Sequence, residues 1–393
     1  MKTTPQQSTL LITSEGFPPL LDASAVLVNN IFSKYKGKLY AVAGTNFTKY
    51  DPTFKAPCKT WYIRYPRTRV FEAISRRYHQ YFLPLYYFIV LRIAKKVKPT
   101  VVFANYPHEV LFVATYKAAK KLNLPLFIYM HDLWEENMTR PNRKQFAARW
   151  EKEIFMYADK VICCTKAQQE YYEQKYGISS ELVLHPIPDE EIDQAPVVSD
   201  VPNKKVTIAY SGSLSGHMNQ DAFVEMSRAM DLLGDSYEMI WYPVNEIPVK
   251  MLESIGITSN RIRLEYIGRE KLNAALNAAD ILFAPLSHKN CSLHEVMTVF
   301  SNKLLGYLIS EKPILVFGPE NCHHVNIARQ GAWGYTVTED SPEALAEGIR
   351  GLAQNPALCS SLVQHAKTEA QHRRASRFAD MIQRWVDQYT LTP

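Results

Sequence analysis

Residues 279–320 read ADILFAPLSHKNCSLHEVMTVFSNKLLGYLISEKPILVFGPE, and the pattern of this stretch decides the fold. An apolar run from Ile281 to Pro285 leads into a polar loop of Ser, His, Lys, Asn and Cys. The spacing predicts a helix from about Val299 to Ser310, and a second apolar run, Pro313 to Phe317, closes on Gly318-Pro319. Strand, loop, helix, strand is the repeating unit of a parallel α/β sheet. Ligands of such sheets gather beyond the carboxyl ends of the strands, so chemistry is expected in the loop Ser287 to Phe300 and the turn Gly318 to Cys322.

The pattern recurs on both sides. Leu10 to Thr13 is a strand, SEGFPPLLDAS a turn-rich loop, about Ala25 to Tyr35 a helix and Lys38 to Gly44 a strand. This is a Rossmann-like opening without the GxGxxG of a dinucleotide site. Thr100 to Ala104 and Leu126 to Tyr129 are further strands, and HDLWEEN leaves the second of them, so His131 stands at a strand's carboxyl edge. A histidine there can bond a phosphate or sugar hydroxyl, act as a base, or simply fix its loop. Helices follow at Arg149 to Tyr157 and within ADKVICCTKAQQEYYEQKYG, and Glu181 to His185 reads as a strand. In PIPDEEIDQAPVVSDVPNKK, with four prolines and five acidic residues, the regular apolar spacing stops, which marks a boundary. Val206 to Tyr210 then restarts the pattern as a strand. The small-residue loop SGSLSGHMNQ enters a helix from about Asp221, a setting in which free amides and small side chains admit a phosphate. Tyr237 to Trp241 and Ile262 to Tyr266 are strands, and Ile267-Gly268-Arg269 opens the helix Glu270 to Ala279. The last segment, HRRASRFADMIQRWVDQY, keeps Phe378, Ile382, Trp385, Val386 and Tyr389 on one face as an amphipathic helix.

These elements divide the 393 residues into a Rossmann-like domain over 1–190, a linker over 191–204, a second Rossmann-like domain over 205–372 and a terminal helix over 373–393. The apolar fraction of 47% and charged fraction of 21% are those of a folded globular chain. No run is long enough to span a membrane, and the N-terminus lacks the pattern of a secretory signal, so a cytoplasmic address is expected. Six cysteines without CxxC spacing agree with reduced thiols, and the pair His323-His324 lies in no metal-binding pattern, so no metal site is expected.

The net charge of +6 is unevenly spread. Between Lys59 and Lys98 ten Lys or Arg accompany one acidic residue, Glu72, and are interleaved with ten Trp, Tyr and Phe. This segment reads either as a helix packed on the first domain with a basic outer face, or as an interfacial patch in which Arg76, Arg77, Arg92, Lys95 and Lys96 meet lipid phosphates. Pro84 is expected to kink or interrupt its helix. Nucleic acid is disfavoured by the acidic residues from Asp132 to Glu136.

Several motifs in fixed order, HDLWEE, ADKVICCTKAQQEYYEQKYG with LHPIPD, YSGSLSG, NAALNAADILFAPLS and SNKLLGYLISEKPILVFG, make the chain resemble a retaining GT-B glycosyltransferase of family 4 over about residues 8–385. The resemblance implies an α/β protein with two Rossmann-like domains facing across a cleft, the terminal helix bridging or packing back. It implies a donor nucleotide-diphosphate sugar, UDP- or GDP-linked, bound mainly by the C-terminal domain without a required cofactor or metal. Gly212, Ser213 and Leu214 would lie near phosphate, Lys303 near the diphosphate or donor sugar, and Gly268 and Arg269 near the base. Ser301 and Asn302 open the same donor element. His131 would face the transferred sugar, and the loop from Gly16 to Asp22 would approach the phosphates and acceptor. The resemblance does not choose among a lipid-linked saccharide, a protein and a soluble metabolite as acceptor; the basic aromatic segment Lys59 to Lys98 tilts the expectation toward a saccharide or lipid-linked acceptor at an anionic inner membrane surface. The chain departs from the family pattern where two acidic residues separated by seven are usual, since Thr298 and Gly306 stand there, with Glu295 nearby as a substitute. Ser213 and His217 stand where an Arg and a Lys are usual, which leaves Lys303, Arg269 and His217 to supply positive charge. A sugar-nucleotide epimerase and a non-catalytic binding or scaffold protein are the alternative readings.

Overall fold

The computed structural model describes residues 8–20, 22–44, 50–63, 79–107, 109–194 and 204–390. Arg76 and Arg77 of the basic segment, Leu21 of the first loop and most of the linker lie outside them. The chain forms two compact units, one of residues 1–188 with 373–393 and one of 189–372.

The first unit is built on a parallel seven-stranded sheet: β1 (Thr9–Ser14), β2 (Lys38–Gly44), β3 (Lys59–Ile63), β4 (Val101–Tyr106), β5 (Leu126–Met130), β6 (Lys160–Cys163) and β7 (Glu181–Leu182), in the order β3-β2-β1-β4-β5-β6-β7. β4 and β5 are buried at every position, as expected of strands covered on both faces by crossover helices. The covering helices are α1 (Ala23–Phe32), α2 (Leu83–Val97), α3 (Glu109–Leu122), α4 (Pro141–Tyr157) and α5 (Lys166–Tyr176). α1 begins where the Asp22 carboxylate accepts from Ala25 N at 2.7 Å, and α5 ends on Gly177 in the left-handed conformation.

The second unit repeats the plan. A short helix α6 (Asp189–Asp193) precedes β8 (Val206–Ser211), α7 (Gln220–Leu233), β9 (Tyr237–Tyr242), α8 (Val249–Ser254), β10 (Ile262–Leu264), α9 (Arg269–Ala278) and β11 (Ile281–Pro285). Then come α10 (Leu293–Thr298), α11 (Lys303–Leu308), β12 (Ile314–Phe317), α12 (His323–Gln330), β13 (Gly334–Val337), α13 (Pro342–Gln354) and α14 (Pro356–His372). The six strands pair in parallel in the order β10-β9-β8-β11-β12-β13. In both sheets the order in which successive strands are added reverses beside the first strand of the unit, at β1/β4 and at β8/β11. A crevice opens at the carboxyl ends of strands at such switch points.

Several expectations are corrected. The helix expected over Val299 to Ser310 is shorter, Lys303–Leu308, because Val299 is extended, and a separate helix, α10, precedes it, started by a capping box of Ser292 and Glu295. Pro84 does not break α2 but sits in its first turn, where a missing N–H costs no hydrogen bond. α4 starts at Pro141 rather than Arg149, and the strand after Ser180 covers only two residues. β3 and α8 had no counterpart in the reading of the sequence. The terminal helix, α15 (Ala375–Gln388), folds into the first unit: Phe378, Ile382, Trp385 and Val386 enter the core formed by Leu10, Ile12, Phe103 and Phe127. The chain is pinned there by Ile187 N donating to Arg373 O at 2.8 Å and Ala375 N to Ile187 O at 2.9 Å. No helix among the described residues is long and apolar enough to cross a membrane.

Candidate functional site

In the second unit the switch-point crevice lies where β8 ends and the loop Gly212–Asn219 begins. Gly212 has φ +140°, a conformation that other residues adopt only with strain, and its backbone donates to Tyr242 O at 3.0 Å. A Cβ there would stand 3.0 Å from the Tyr210 hydroxyl and 3.2 Å from Lys303 Cε. A side chain there would press on the lysine and the tyrosine, and the φ of +140° itself favours glycine. The Trp241 indole donates to Gly212 O at 2.9 Å, and the Asn219 amide donates to Ser213 O at 3.2 Å and to the Tyr210 hydroxyl at 2.9 Å. The Tyr210 hydroxyl donates to Ser213 O at 3.0 Å. Tyr307 on α11 accepts from Ser211 N at 3.0 Å, so that α11 is clamped to the end of β8. Tyr210, Asn219 and Tyr307 were not singled out in the sequence, since buried hydroxyls and amides that lock a loop have no local pattern.

Lys303 opens α11, and its ammonium donates to the Tyr210 hydroxyl at 2.9 Å. It retains some access to solvent but is surrounded largely by protein atoms, and this desolvation lowers its pKa from 10.5 to about 8. Among the described residues no carboxylate pairs with it. Ser301 N donates to His324 Nε2 at 3.0 Å. That bond makes His324 a neutral imidazole protonated on Nδ1, and burial, with His323 and Lys303 nearby, pushes its pKa down to about 3. His324 Nδ1 and Asn302 Oδ1 are buried without a hydrogen-bond partner. By accepting from Ser301 N, His324 fixes the backbone just ahead of α11.

His217 is exposed, with Nδ1 3.2 Å from Ser215 Oγ and Nε2 3.7 Å from Glu295 Oε1. Glu295 also accepts from Ser292 N at 3.0 Å, so its carboxylate is shared between the helix cap and His217. Leu214 packs on the core of the unit, whereas Ser213 is exposed. Gly268 caps α9 after the edge strand β10, two strands from β8 and thus about 10 Å away across the sheet. The described structure does not include the Arg269 side chain. At the two positions where acidic residues are usual, Thr298 is buried and donates to His294 O at 2.7 Å, and Gly306 has open space where a side chain would begin.

The first unit has a polar cluster at its own switch point. The Asn105 amide donates to Ser14 Oγ and Ser24 Oγ, both at 3.0 Å, which leaves Asn105 Oδ1 to accept from His131 Nε2 at 2.8 Å. His131 Nδ1 then accepts from His185 Nε2 at 3.3 Å. Burial lowers the His131 pKa to about 3, and both of its nitrogens are engaged, so it is a neutral fixed imidazole and not a free base. Ser14 Oγ donates to Gly16 O at 2.7 Å, and a Cβ on Gly16 would overlap the Asp22 carboxylate that caps α1. Sequence reasoning placed His131 and Gly16 at this edge. It missed Asn105, Ser14 and His185.

Glu135, Glu136 and Glu151 also converge in the first unit. Lys175 occupies the middle of the group, with its ammonium 3.1, 2.5 and 2.9 Å from the three carboxylates, and supplies the cation itself.

Two parallel Rossmann-like sheets, each with polar groups collected at its switch point, define a GT-B protein. Residues 47–188 match the sequence model of Glycosyltransferase Family 4. Solved structures share the fold along nearly the whole chain. A glycosyltransferase from Rickettsia africae superposes with a TM-score of 0.71 at 11% identity, covering 98% of this chain and 100% of its own. Sucrose-phosphate synthase from Thermosynechococcus elongatus gives 0.71 at 14% identity, covering 98% and 99%. HepE from Anabaena, in complex with UDP, gives 0.69 at 14%, covering 97% and 100%. No curated protein matches by sequence.

Proposed function

We propose that the protein is a retaining, metal-independent glycosyltransferase that uses a UDP- or GDP-linked sugar. The acceptor is a saccharide or a lipid-linked one at the inner face of the membrane, in cell-surface polysaccharide or glycolipid synthesis. The observation that carries this reading is Lys303 held against Tyr210 and Gly212 at the mouth of the β8/β11 switch point. Departure of a nucleoside diphosphate leaves negative charge on its phosphates while positive character grows on the sugar carbon. A desolvated ammonium and backbone N–H groups aimed at those phosphates stabilise that separation. The Family 4 match and the HepE complex with UDP support a nucleotide-sugar donor.

In this reading Lys303 and the loop Gly212–Leu214 hold the diphosphate, and Ser301 and Asn302 border the donor sugar. His217, when protonated and oriented by Glu295, adds a second cation. Gly268 and Arg269 serve the base. On the first unit Gly16 lies toward the acceptor, and His131 positions the transferred sugar as a neutral hydrogen-bonding group. A phosphate oxygen of the departing group takes the acceptor proton, so no protein base is required.

Calorimetric titration with UDP-, GDP- and ADP-sugars, followed by assay of nucleotide release with and without saccharide or lipid-linked acceptors, tests the proposal. Binding of a UDP- or GDP-sugar with acceptor-dependent release is expected. Absence of binding to all three overturns it. Interconversion of the sugar nucleotide without acceptor indicates an epimerase, and binding without turnover a non-catalytic protein.

A further inference from the structure

α2 divides cleanly between two faces. Tyr86, Val90, Ile93 and Ala94 are buried against Leu11, Val42 and the apolar side of α3. On the outward side Leu85 and Phe88 are 54% and 62% exposed, Tyr81 in the single turn just before the helix is 70% exposed, and the exposed Arg92, Lys95 and Lys96 continue the same stripe at spacings of three or four residues. Leu85 and Phe88, large apolar side chains one turn apart and turned toward water beside a row of cations, mark an interaction surface.

We propose that this outward face of α2 docks on an anionic lipid bilayer, with Tyr81, Leu85 and Phe88 entering the headgroup layer and Arg92, Lys95 and Lys96 meeting lipid phosphates. Charge complementarity selects this occupant. From Ala73 to His108 the sequence has no Asp or Glu, and among the described residues no carboxylate pairs with Arg92, Lys95 or Lys96. A protein groove for such a face would have to supply both an apolar floor and a row of carboxylates. An anionic bilayer supplies both along a straight line, and a helix with one apolar and one cationic stretch lies in its interface. The inference deepens the membrane-proximal part of the proposed function and rests on it for its purpose, which is delivery of sugar to a membrane-borne acceptor. The docking itself is measured without donor or acceptor, so failure of one does not decide the other.

The test is co-sedimentation of the full chain with vesicles of phosphatidylcholine, alone or mixed with phosphatidylglycerol, at low and high salt. Leu85→Ser/Phe88→Ser and Arg92→Glu/Lys95→Glu/Lys96→Glu are compared with Lys144→Glu/Lys152→Glu on the exposed side of α4. All these positions are at the surface or partly so, and circular dichroism verifies that each variant is folded. Wild type and the α4 variant should pellet with the anionic vesicles at low salt and be released at high salt. The charge-reversal variant should lose about a hundredfold in partitioning, and the apolar variant about tenfold. Recovery of wild type in the supernatant with anionic vesicles at low salt overturns the proposal, as does equal pelleting of all variants. Self-association without vesicles that Leu85→Ser/Phe88→Ser abolishes also overturns it, and assigns the face to a second copy of the chain.

Discussion

The Lys303 ammonium donates to the Tyr210 hydroxyl at 2.9 Å and stands 4.6 Å from the centre of the same ring. One contact thereby joins the first residue of α11 to the penultimate residue of β8, and it holds the cation by a neutral group. A carboxylate in that place would cancel the charge that a diphosphate needs.

Lys303→Met should weaken binding of a nucleoside diphosphate by at least about tenfold, the effect of one lost charge-assisted hydrogen bond. The pH dependence follows from its lowered pKa. Free Lys303 loses its proton as pH rises through about 8, whereas a bound diphosphate raises its pKa, so affinity should fall by up to about tenfold per pH unit above that point. Titration calorimetry from neutral to alkaline pH should show this slope in the wild type and a flat profile in Lys303→Met.

Gly306 lies inside α11, where glycine is unfavourable, and has no atom within 4 Å of where a Cβ would be. Gly306→Glu should therefore fold without a clash and gain up to about 1 kcal/mol of helix stability. If the donor ribose lies where the family pattern implies, the new carboxylate should also tighten UDP binding. Thermal melting and titration of the variant with UDP report the two effects separately.

His324 and His131 make both units acid-sensitive. Each has a pKa lowered from 6.5 to about 3 in the folded state, so the unfolded chain binds the additional proton between those values. Their contribution to stability is complete above about pH 6.5 and is lost as pH falls toward 3, by at most about 1.4 kcal/mol per pH unit for each group. His324→Gln keeps an acceptor for Ser301 N and cannot titrate. Its melting temperature should fall less between pH 7 and 5 than that of the wild type.

Lys175 is the only cation among Glu135, Glu136 and Glu151 within the described structure. Glu151 is fully buried, and burial already raises its pKa against the opposing pull of Lys175. Lys175→Met should cost about 3–5 kcal/mol at neutral pH, measured by urea unfolding, because it leaves buried carboxylates uncompensated. The loss should shrink as pH falls, because burial without Lys175 favours the protonated form of Glu151, and Glu151→Gln in the same background should recover part of it.

The apolar runs at β1, β4, β5, β8, β11 and β12 were legible because a doubly covered strand must be apolar at nearly every position. The restart of the pattern after the proline-rich segment told of a second unit for the same reason. Less was legible where structure depends on partners. β3 is an edge strand with a mixed surface, α10 is set by a single capping box, and α4 has a polar first half that only its neighbours make helical. At the candidate site Gly212, Gly16 and His131 were visible as small or polar residues near strand ends, and Lys303 only through the family resemblance. Tyr210, Tyr307, His324, Asn105 and His185 were not, since each acts through a partner far away in sequence, and Asn219 was not because its bonds to Ser213 and Tyr210 follow no local pattern.

The sequence by itself thus determined two parallel α/β sheets and which loops lie at their carboxyl edges, because periodicity and glycine placement are local properties of a chain. The tertiary structure alone decided the chemical state of the residues in those loops. Burial and hydrogen bonding made His131 and His324 neutral, brought the pKa of Lys303 to about 8 and gave Lys175 to three glutamates. It also decided that the terminal helix completes the first core. Desolvation and long-range pairing set these outcomes, and neither is encoded in the neighbours of a residue along the chain.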